Sequence, residues 1–152
     1  MAGERLIYMP LGGAGEIGMN AYVYGYGPKG RERLILVDLG VAFPDMDTSP
    51  GVDLILPDIS WLLARLDRLE AIFITHAHED HIGALAHLWP QLMKPVYARK
   101  FTATIGRMKF EEAGLPLDTS RPSRRGLRRS PPDRSKCNSC RSATRSRKVR
   151  LW

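Results

Sequence analysis

The feature that most constrains this chain is a cluster of histidine and acidic residues placed directly after a short apolar run. The apolar run covers residues 71–74, and residues 75–81 continue it as THAHEDH. Four side chains of this segment carry donor atoms for a divalent cation: His76, His78, Asp80 and His81. Imidazole together with carboxylate suits zinc or manganese. The pattern predicts a strand that ends in a metal-binding loop, with a merely polar surface loop as the alternative.

The spacing divides these four ligands into two pairs. Side chains two residues apart in an extended chain point the same way, so His76 and His78 could share one ion. Asp80 and His81 lie beyond the bend and could hold a second ion close by. Two neighbouring ions can clamp a phosphoryl group and activate water. A single-ion site is the alternative that the spacing leaves open.

Several motifs together carry a resemblance to a known family. The sequence HAHEDH at residues 76–81 matches the HxHxDH signature of the metallo-β-lactamase superfamily of hydrolases. Further segments resemble ribonuclease J, in the β-CASP branch of that superfamily, and they cover residues 11–20, 37–40, 43–45, 50–53 and 57–58. The likeness continues through residues 95–98 and 101–115 and then stops.

The resemblance implies an α/β fold, the αββα sandwich, with the metal loop at one edge of two stacked sheets. Residues 1–118 would form the N-terminal half of that sandwich, and residues 119–152 would form a disordered basic tail. Half of the sandwich would leave one face of its sheet uncovered. The implied activity is metal-dependent hydrolysis of RNA phosphodiester bonds, as endonuclease and 5′–3′ exonuclease, in a truncated and impaired form.

The resemblance also assigns roles to residues around the loop. Asp80 and His81 are predicted to be catalytic as well as metal ligands, with Asp80 orienting the attacking water or accepting its proton. A complete site would hold two Zn²⁺ ions, with Mn²⁺ or Mg²⁺ as alternatives. In the family, a downstream His, a bridging Asp and a further His complete this site, whereas the only other histidine here is His87, for which we expect a surface or packing role.

Asp38 follows a predicted strand and matches the superfamily's first motif. We expect it to orient the metal ligands by hydrogen bonding rather than to bind metal directly. A capped turn at residues 38–40 is the alternative.

Other segments near the loop support weaker interpretations. Asp45 and Asp47 could bind a structural Ca²⁺ that the resemblance suggests, although two carboxylates in a turn are more often solvated. The glycine-rich residues 11–18 lack the GK[ST] ending of a phosphate loop, so we interpret them as tight turns packed near the metal edge. Glu79 is expected to face solvent.

The positive charge of the chain is concentrated in its tail. Residues 1–118 hold 11 Lys+Arg and 15 Asp+Glu, whereas residues 119–152 hold 12 Lys+Arg and only Asp133, which gives net charges of −4 and +11. Low apolar content and high charge predict disorder for the tail. It could bind RNA phosphates, or it could be an out-of-frame reading of a GC-rich gene, and we favour the second interpretation.

The tail also contains a CxxC pair, Cys137 and Cys140. We interpret this spacing as a chance occurrence, since one pair supplies only half of the ligands of a tetrahedral zinc site.

Periodicity predicts an alternation of strands and helices. The predicted strands are residues 6–9, 21–24 and 34–37 as a meander, a strand beginning at Ala71, and residues 96–98. The predicted helices are residues 59–69 with Ser60 as the cap, a helix after the metal loop that Pro90 bends or ends, and residues 101–113.

Three functions fit the sequence, and the first is a ribonuclease J-like enzyme acting on RNA. The second is a noncatalytic nucleic-acid binder that uses the basic tail, and the third is another metallo-β-lactamase-fold hydrolase acting on thioesters or lactams.

The sequence contains no signal peptide and no run long enough to span a membrane, so we expect a cytoplasmic protein. The resemblance implies oligomers for the full-length family, and the sequence defines no oligomeric state for this chain.

Overall fold

The computed structural model describes residues 3–45 and 50–116, together with the backbone of residues 149–150. The six strands, in chain order, are β1 (Glu4–Gly12), β2 (Ala21–Pro28), β3 (Arg33–Val37), β4 (Leu69–Phe73), β5 (Val96–Ala98) and β6 (Val149–Arg150). The four helices are α1 (Ser60–Leu63), α2 (Glu79–Ile82), α3 (Leu85–Leu92) and α4 (Lys100–Glu112). Strands and helices alternate after β3, and the predicted α/β class is confirmed.

All six strands belong to one sheet, in the order β1-β2-β3-β4-β5-β6. The first three strands pair antiparallel as the predicted meander, whereas β3, β4 and β5 run parallel to one another. Parallel neighbours need a crossover connection, and helices occupy both of these connections. The carboxyl ends of β3 and β4 therefore lie at the same edge of the sheet, which is also the edge where β2 begins.

One face of the sheet packs against the helices and forms the core. The cross-strand row on this face consists of Val23, Leu36, Ile72 and Val96, all fully buried. Helical side chains complete the same hydrophobic cluster, including Leu62, Ile82, Leu85, Leu92 and Phe110. At the centre of this layer, Trp89 of α3 packs edge-on against Phe110 of α4, with ring centroids 5.1 Å apart. Burial of this cluster is the main contribution to stability.

The opposite face of the sheet is rich in aromatic residues, and the described residues leave much of it exposed. Leu6, Tyr8 and Tyr26 are 73%, 54% and 55% exposed, and Tyr24 lies on the same face. Tyr8 contacts Tyr22 and Tyr24 through its ring. Among the described residues, this face is left uncovered as the half-sandwich prediction expects, and the truncation itself stays a prediction. We call Leu6, Tyr8, Tyr24 and Tyr26 the open face.

Two predicted elements differ from the observed ones. The helix predicted over residues 59–69 ends after one turn at Leu63, and turns lead from there into β4. Ser60 does not cap it; instead the backbone N–H of Ser60 donates a hydrogen bond of 2.8 Å to the Asp58 carboxylate. After the metal loop there are two helices rather than one, and Pro90 lies within α3 without ending it.

The predicted tail lies mostly outside the described residues. Within it, Val149 and Arg150 form β6 and pair antiparallel with Ala98 and Tyr97 of β5, a pairing that the sequence analysis did not anticipate. Cys137, Cys140 and the proposed RNA-binding segment lie outside the described residues. In the part of the chain that the structure describes, none of the helices has the length and apolar character that a membrane span needs.

Candidate metal centre

The candidate site lies at the sheet edge where β3 and β4 end and β2 begins. Asp38 follows the last residue of β3, Thr75 lies two residues beyond the end of β4, and Asn20 directly precedes β2. Because β3 and β4 are parallel and β2 is antiparallel to β3, these residues meet at one edge although they are far apart in sequence. The topology thus assembles the site from three separate segments.

Backbone hydrogen bonds fix the three segments against one another. Leu39 N–H donates to the carbonyl of His81 at 2.9 Å, and Asn20 N–H donates to the carbonyl of Asp80 at 3.0 Å. Gly40 N–H donates to the carbonyl of Asn20 at 3.1 Å. These main-chain hydrogen bonds hold the metal loop against its neighbours and involve no side chain.

The HxHxDH segment changes from extended chain to helix in its middle. His78 is the N-terminal cap residue of α2 and has extended backbone angles, and its carbonyl accepts from His81 N–H at 2.9 Å. Glu79 and Asp80 fill the first turn of α2, where negative charge is favourable to the helix dipole. His76 and His78 therefore precede α2, whereas Asp80 and His81 lie within it, and the division into two ligand pairs stays a prediction.

Asp38 is the buried anchor of the site, with its side chain only 4% exposed. Its carboxylate accepts hydrogen bonds from the backbone N–H of Thr75 at 2.8 Å and from the Thr75 hydroxyl at 2.9 and 3.0 Å. The same carboxylate lies 2.8 Å from Nδ1 of His81. An acceptor at Nδ1 favours the proton on that nitrogen and places the lone pair of the His81 ring on Nε2.

The three imidazoles of the loop lie side by side. The ring centroid of His76 is 3.9 Å from that of His81 and 4.7 Å from that of His78. Nε2 of His81 lies 3.4 Å from Oδ2 of Asp80. Nδ1 of His76 contacts the Thr75 hydroxyl at 2.9 Å. The four predicted ligands are therefore brought together at one edge.

The chemistry of this donor set fits a borderline divalent cation, because neutral imidazole and carboxylate are the ligands that zinc prefers. Within residues 3–45 and 50–116, no three His, Cys, Asp or Glu side chains converge as a set that could hold one ion. The assignment of His76, His78, Asp80 and His81 as ligands stays a prediction.

A second polar network adjoins Asp80 and His81 and was not predicted. Nδ2 of Asn20 lies 3.1 Å from Oδ2 of Asp80, 2.9 Å from the Asp80 carbonyl and 3.2 Å from Nε2 of His81. The Tyr22 hydroxyl donates to Oδ1 of Asn20 at 2.8 Å and lies 3.2 Å from the carbonyl of Gly13. Burial raises the pKa of the Tyr22 hydroxyl, with smaller contributions from nearby Tyr8 and Asp38, so the hydroxyl stays a donor at neutral pH.

The remaining predicted residues have varied surroundings. Glu79 is exposed as predicted, yet its carboxylate is held by Lys109 of α4, with Nζ–Oε distances of 2.7 and 2.9 Å. His87 is exposed on α3, in agreement with its predicted surface role. Asp45 is exposed, whereas Asp47 lies outside the described residues, so the Ca²⁺ site stays a prediction.

The glycine-rich segment before β2 has the backbone that its interpretation requires. Gly13, Gly15 and Gly18 all have positive φ, which favours glycine. A Cβ atom on Gly18 would lie 3.0 Å from the Cβ of Ala42, in the loop that follows β3. The interpretation as turns fits all three glycines, and close packing holds for Gly13 and Gly18, whereas a Cβ on Gly15 would have no neighbour within 4 Å.

The sequence of the chain matches one family of known proteins. The sequence model of the Metallo-beta-lactamase superfamily matches residues 14–138. The match extends beyond residue 118, so the predicted boundary between domain and tail stays a prediction.

Curated relatives narrow the similarity to one group of proteins. The chain is 59% identical over 100 residues to Ribonuclease J of Sinorhizobium meliloti, which covers 66% of the chain and 18% of the relative. It is 49% identical over 110 residues to Ribonuclease J of Mycolicibacterium smegmatis, covering 69% and 18%. It is 38% identical over 135 residues to Ribonuclease J of Thermus thermophilus, covering 86% and 22%. The chain thus spans about a fifth of the length of these relatives, and the predicted likeness to ribonuclease J is confirmed.

Proposed function

The chain belongs to the metallo-beta-lactamase superfamily, and we propose that it carries part of the metal centre of a ribonuclease J-like hydrolase that cleaves RNA phosphodiester bonds. The similarity to proteins named Ribonuclease J supports RNA as the substrate. The proposal includes endonucleolytic and 5′–3′ exonucleolytic cleavage, and a cytoplasmic location. The observation that carries it is the contact of 2.8 Å between Asp38 and Nδ1 of His81. Metal-binding histidines usually donate their other ring N–H to such a carboxylate.

Each residue of the centre has a distinct part in this proposal. His76 and His78 would hold one ion, and Asp80 with His81 would hold the other. Asp38 would not bind metal but would fix the ring and the tautomer of His81. Bound Zn²⁺, or Mn²⁺ or Mg²⁺, would lower the pKa of water and offset negative charge on the phosphoryl oxygens.

Proton transfer is the part of the chemistry that the protein itself would supply. Asp80 is half-buried and lies in the first turn of α2, with Oδ2 3.4 Å from Nε2 of His81. Its carboxylate would orient the attacking water and accept its proton. We propose weak activity for this chain by itself, because each donor pair supplies two protein ligands whereas a catalytic zinc ion takes three.

Zinc binding and RNA cleavage by the full chain test the proposal. Titration calorimetry should register Zn²⁺ uptake by the wild-type chain, and His76→Ala and Asp80→Ala should each weaken it about tenfold or more. A 5′-labelled RNA should be cleaved slowly in the presence of Zn²⁺ or Mn²⁺, and both variants should abolish the cleavage. His87→Ala is the matched control, because His87 is exposed on α3 and is not one of the predicted ligands. A folded chain that takes up no zinc would refute the proposal.

The net charge of +11 in residues 119–152 favours a second candidate, a noncatalytic nucleic-acid binder. Such binding would be independent of metal and steeply sensitive to salt, since it releases counterions from phosphates. Deletion of residues 119–152 should then abolish RNA binding without changing zinc affinity. Persistence of RNA binding after the deletion would exclude this candidate.

A further inference from the structure

Asn20 occupies a position in the candidate site that neither the HxHxDH motif nor the predicted ligand set includes. Its side-chain amide has two N–H groups and faces three acceptors: Oδ2 of Asp80, the Asp80 carbonyl and Nε2 of His81. Two of these atoms, Asp80 Oδ2 and His81 Nε2, lie 3.4 Å apart and are the donor atoms of one predicted ligand pair. The amide therefore contacts both members of that pair at once.

The orientation of this amide is fixed from its other end. Oδ1 of Asn20 accepts a hydrogen bond of 2.8 Å from the Tyr22 hydroxyl, two residues along β2. An amide turned by 180° would place its N–H groups against that hydroxyl and its oxygen against the Asp80 carboxylate, where two acceptors would face each other. Tyr22 thus selects the orientation in which Asn20 donates to Asp80.

We propose that Asn20 is a positioning residue for the Asp80–His81 pair, with Tyr22 setting the direction of its amide. On the opposite side of His81, Asp38 holds Nδ1 at 2.8 Å and so orients the imidazole from the nitrogen that does not face Asp80. Asn20 keeps the Asp80 carboxylate beside Nε2 and reduces the entropy that the pair loses when it binds a cation. This inference rests on the proposed function in one respect only, namely that the pair binds a metal ion.

The backbone of Asn20 lets its side chain be tested separately from the fold. Asn20 N–H donates to the Asp80 carbonyl, and the Asn20 carbonyl accepts from Gly40 N–H, and neither bond needs the side chain. Asn20→Ala therefore keeps the main-chain contacts and removes only the amide. Tyr22→Phe is a milder variant that removes only the hydroxyl. Tyr24→Phe is the matched control, because Tyr24 lies two residues further along β2 on the same face of the sheet.

Zinc affinity of the full chain, measured by titration calorimetry, is the first readout. We expect Asn20→Ala to lower the affinity about tenfold or more, the usual effect of losing a residue that orients a metal ligand. Tyr22→Phe should lower it by a smaller factor in the same direction, and Tyr24→Phe should leave it unchanged. Thermal unfolding of each variant is recorded in parallel. Wild-type zinc affinity in both Asn20→Ala and Tyr22→Phe would overturn the inference.

A metal-free NMR measurement separates this inference from the proposed function. The chain has two asparagines and one glutamine, so its spectrum contains three side-chain amide pairs. The Nδ2 protons of Asn20 should exchange with water more slowly than the amide protons of exposed Gln91, and Tyr22→Phe should remove this protection. Protection of Asn20 in a chain that binds zinc but cleaves no RNA would refute the proposed function and uphold the role of Asn20. Equal exchange at Asn20 and Gln91 in the wild-type chain would overturn the role of Asn20.

Discussion

Gly40 is the residue at which the site depends most directly on the absence of a side chain. A Cβ atom there would lie 1.7 Å from the carbonyl oxygen of Asp80 and 2.6 Å from the backbone nitrogen of His81. Both atoms belong to the main chain, so no rotation of a side chain can relieve the clash. Gly40→Ala must therefore displace the metal loop, and we expect it to lower the free energy of unfolding by about 1–3 kcal/mol.

Urea unfolding of the wild-type and Gly40→Ala chains measures this loss. Gly3→Ala is the control, because a Cβ on Gly3 would have no neighbour within 4 Å and should leave the unfolding midpoint unchanged. The same displacement should also weaken zinc binding. Equal midpoints for Gly40→Ala and the wild type would show that the loop does not approach β3 as closely as this.

The local part of the site was predictable from the sequence, and the rest depended on strand pairing. The four predicted ligands lie within six positions, so periodicity alone places them on one loop. Asn20, with Tyr22 bonded to it, reaches Asp80 only because β2 pairs antiparallel with β3, at a sequence separation of 60 residues between Asn20 and Asp80. Prediction of that pairing, together with the polar residue that precedes β2, is the signal that would have found Asn20.

At the scale of elements, Glu32 connects three segments at the far end of the sheet. Its side chain is 2% exposed and forms ion pairs with Arg5 of β1 and with Arg68, which precedes β4. Its carboxylate also accepts a hydrogen bond of 3.0 Å from Gly30 N–H. Hydrogen bonds from the backbone N–H groups of Glu32 and Gly30, then the Arg5 guanidinium, lower the pKa of Glu32 from 4.5 to about 2. Glu32 thus stabilises the fold in its ionised form.

The sign of the pH dependence follows from this lowered pKa. The contribution of Glu32 to stability is complete above about pH 4.5 and is lost as the pH falls from there through about 2. Glu32→Gln should therefore lower the unfolding midpoint at pH 7, and the difference from the wild type should shrink as the pH approaches 2. Urea unfolding between pH 2 and 7 measures both effects.

Glu70→Gln is the matched control for this prediction. Glu70 pairs with Arg33 across β3 and β4, but the two side chains are 43% and 65% exposed. Exposed ion pairs contribute little to the free energy of unfolding, because water and salt screen the charges. A Glu32→Gln chain that behaves like Glu70→Gln at every pH would contradict the structural role of Glu32.

The same connection explains why the predicted helix over residues 59–69 was wrong. Its apolar spacing is helical, but the carbonyl of Arg68 accepts from Leu34 N–H at 2.9 Å and the Arg68 guanidinium reaches Glu32. A helix continued to Leu69 would move the Arg68 carbonyl away from Leu34 and the Arg68 guanidinium away from Glu32. Long-range contacts therefore outweigh local propensity here, whereas α4 agrees with its prediction within one residue at each end because its contacts are those of its own amphipathic face.

At the scale of the whole molecule, the open face leads us to predict that the chain associates with itself in solution. Exposed apolar patches of this kind favour self-association. Leu6 and Tyr26 lie directly opposite each other on β1 and β2 and are among the most exposed large apolar residues of the described strands. The double variant Leu6→Thr with Tyr26→Thr places β-branched residues, which favour strands, at both positions and removes much apolar surface. We expect it to bind less of the dye ANS and to sediment with less high-mass material than the wild type.

The double variant needs a control that removes an exposed aromatic side chain outside the open face. Phe101 on α4 is 72% exposed but lies outside the open face, so Phe101→Ala removes a single exposed aromatic ring without altering the sheet. If self-association depends on a continuous face rather than on exposed rings in general, the double variant should reduce it and Phe101→Ala should not. Circular dichroism of all three chains verifies that the fold is retained. Equal sedimentation of the wild type and the double variant would mean that the open face does not drive association.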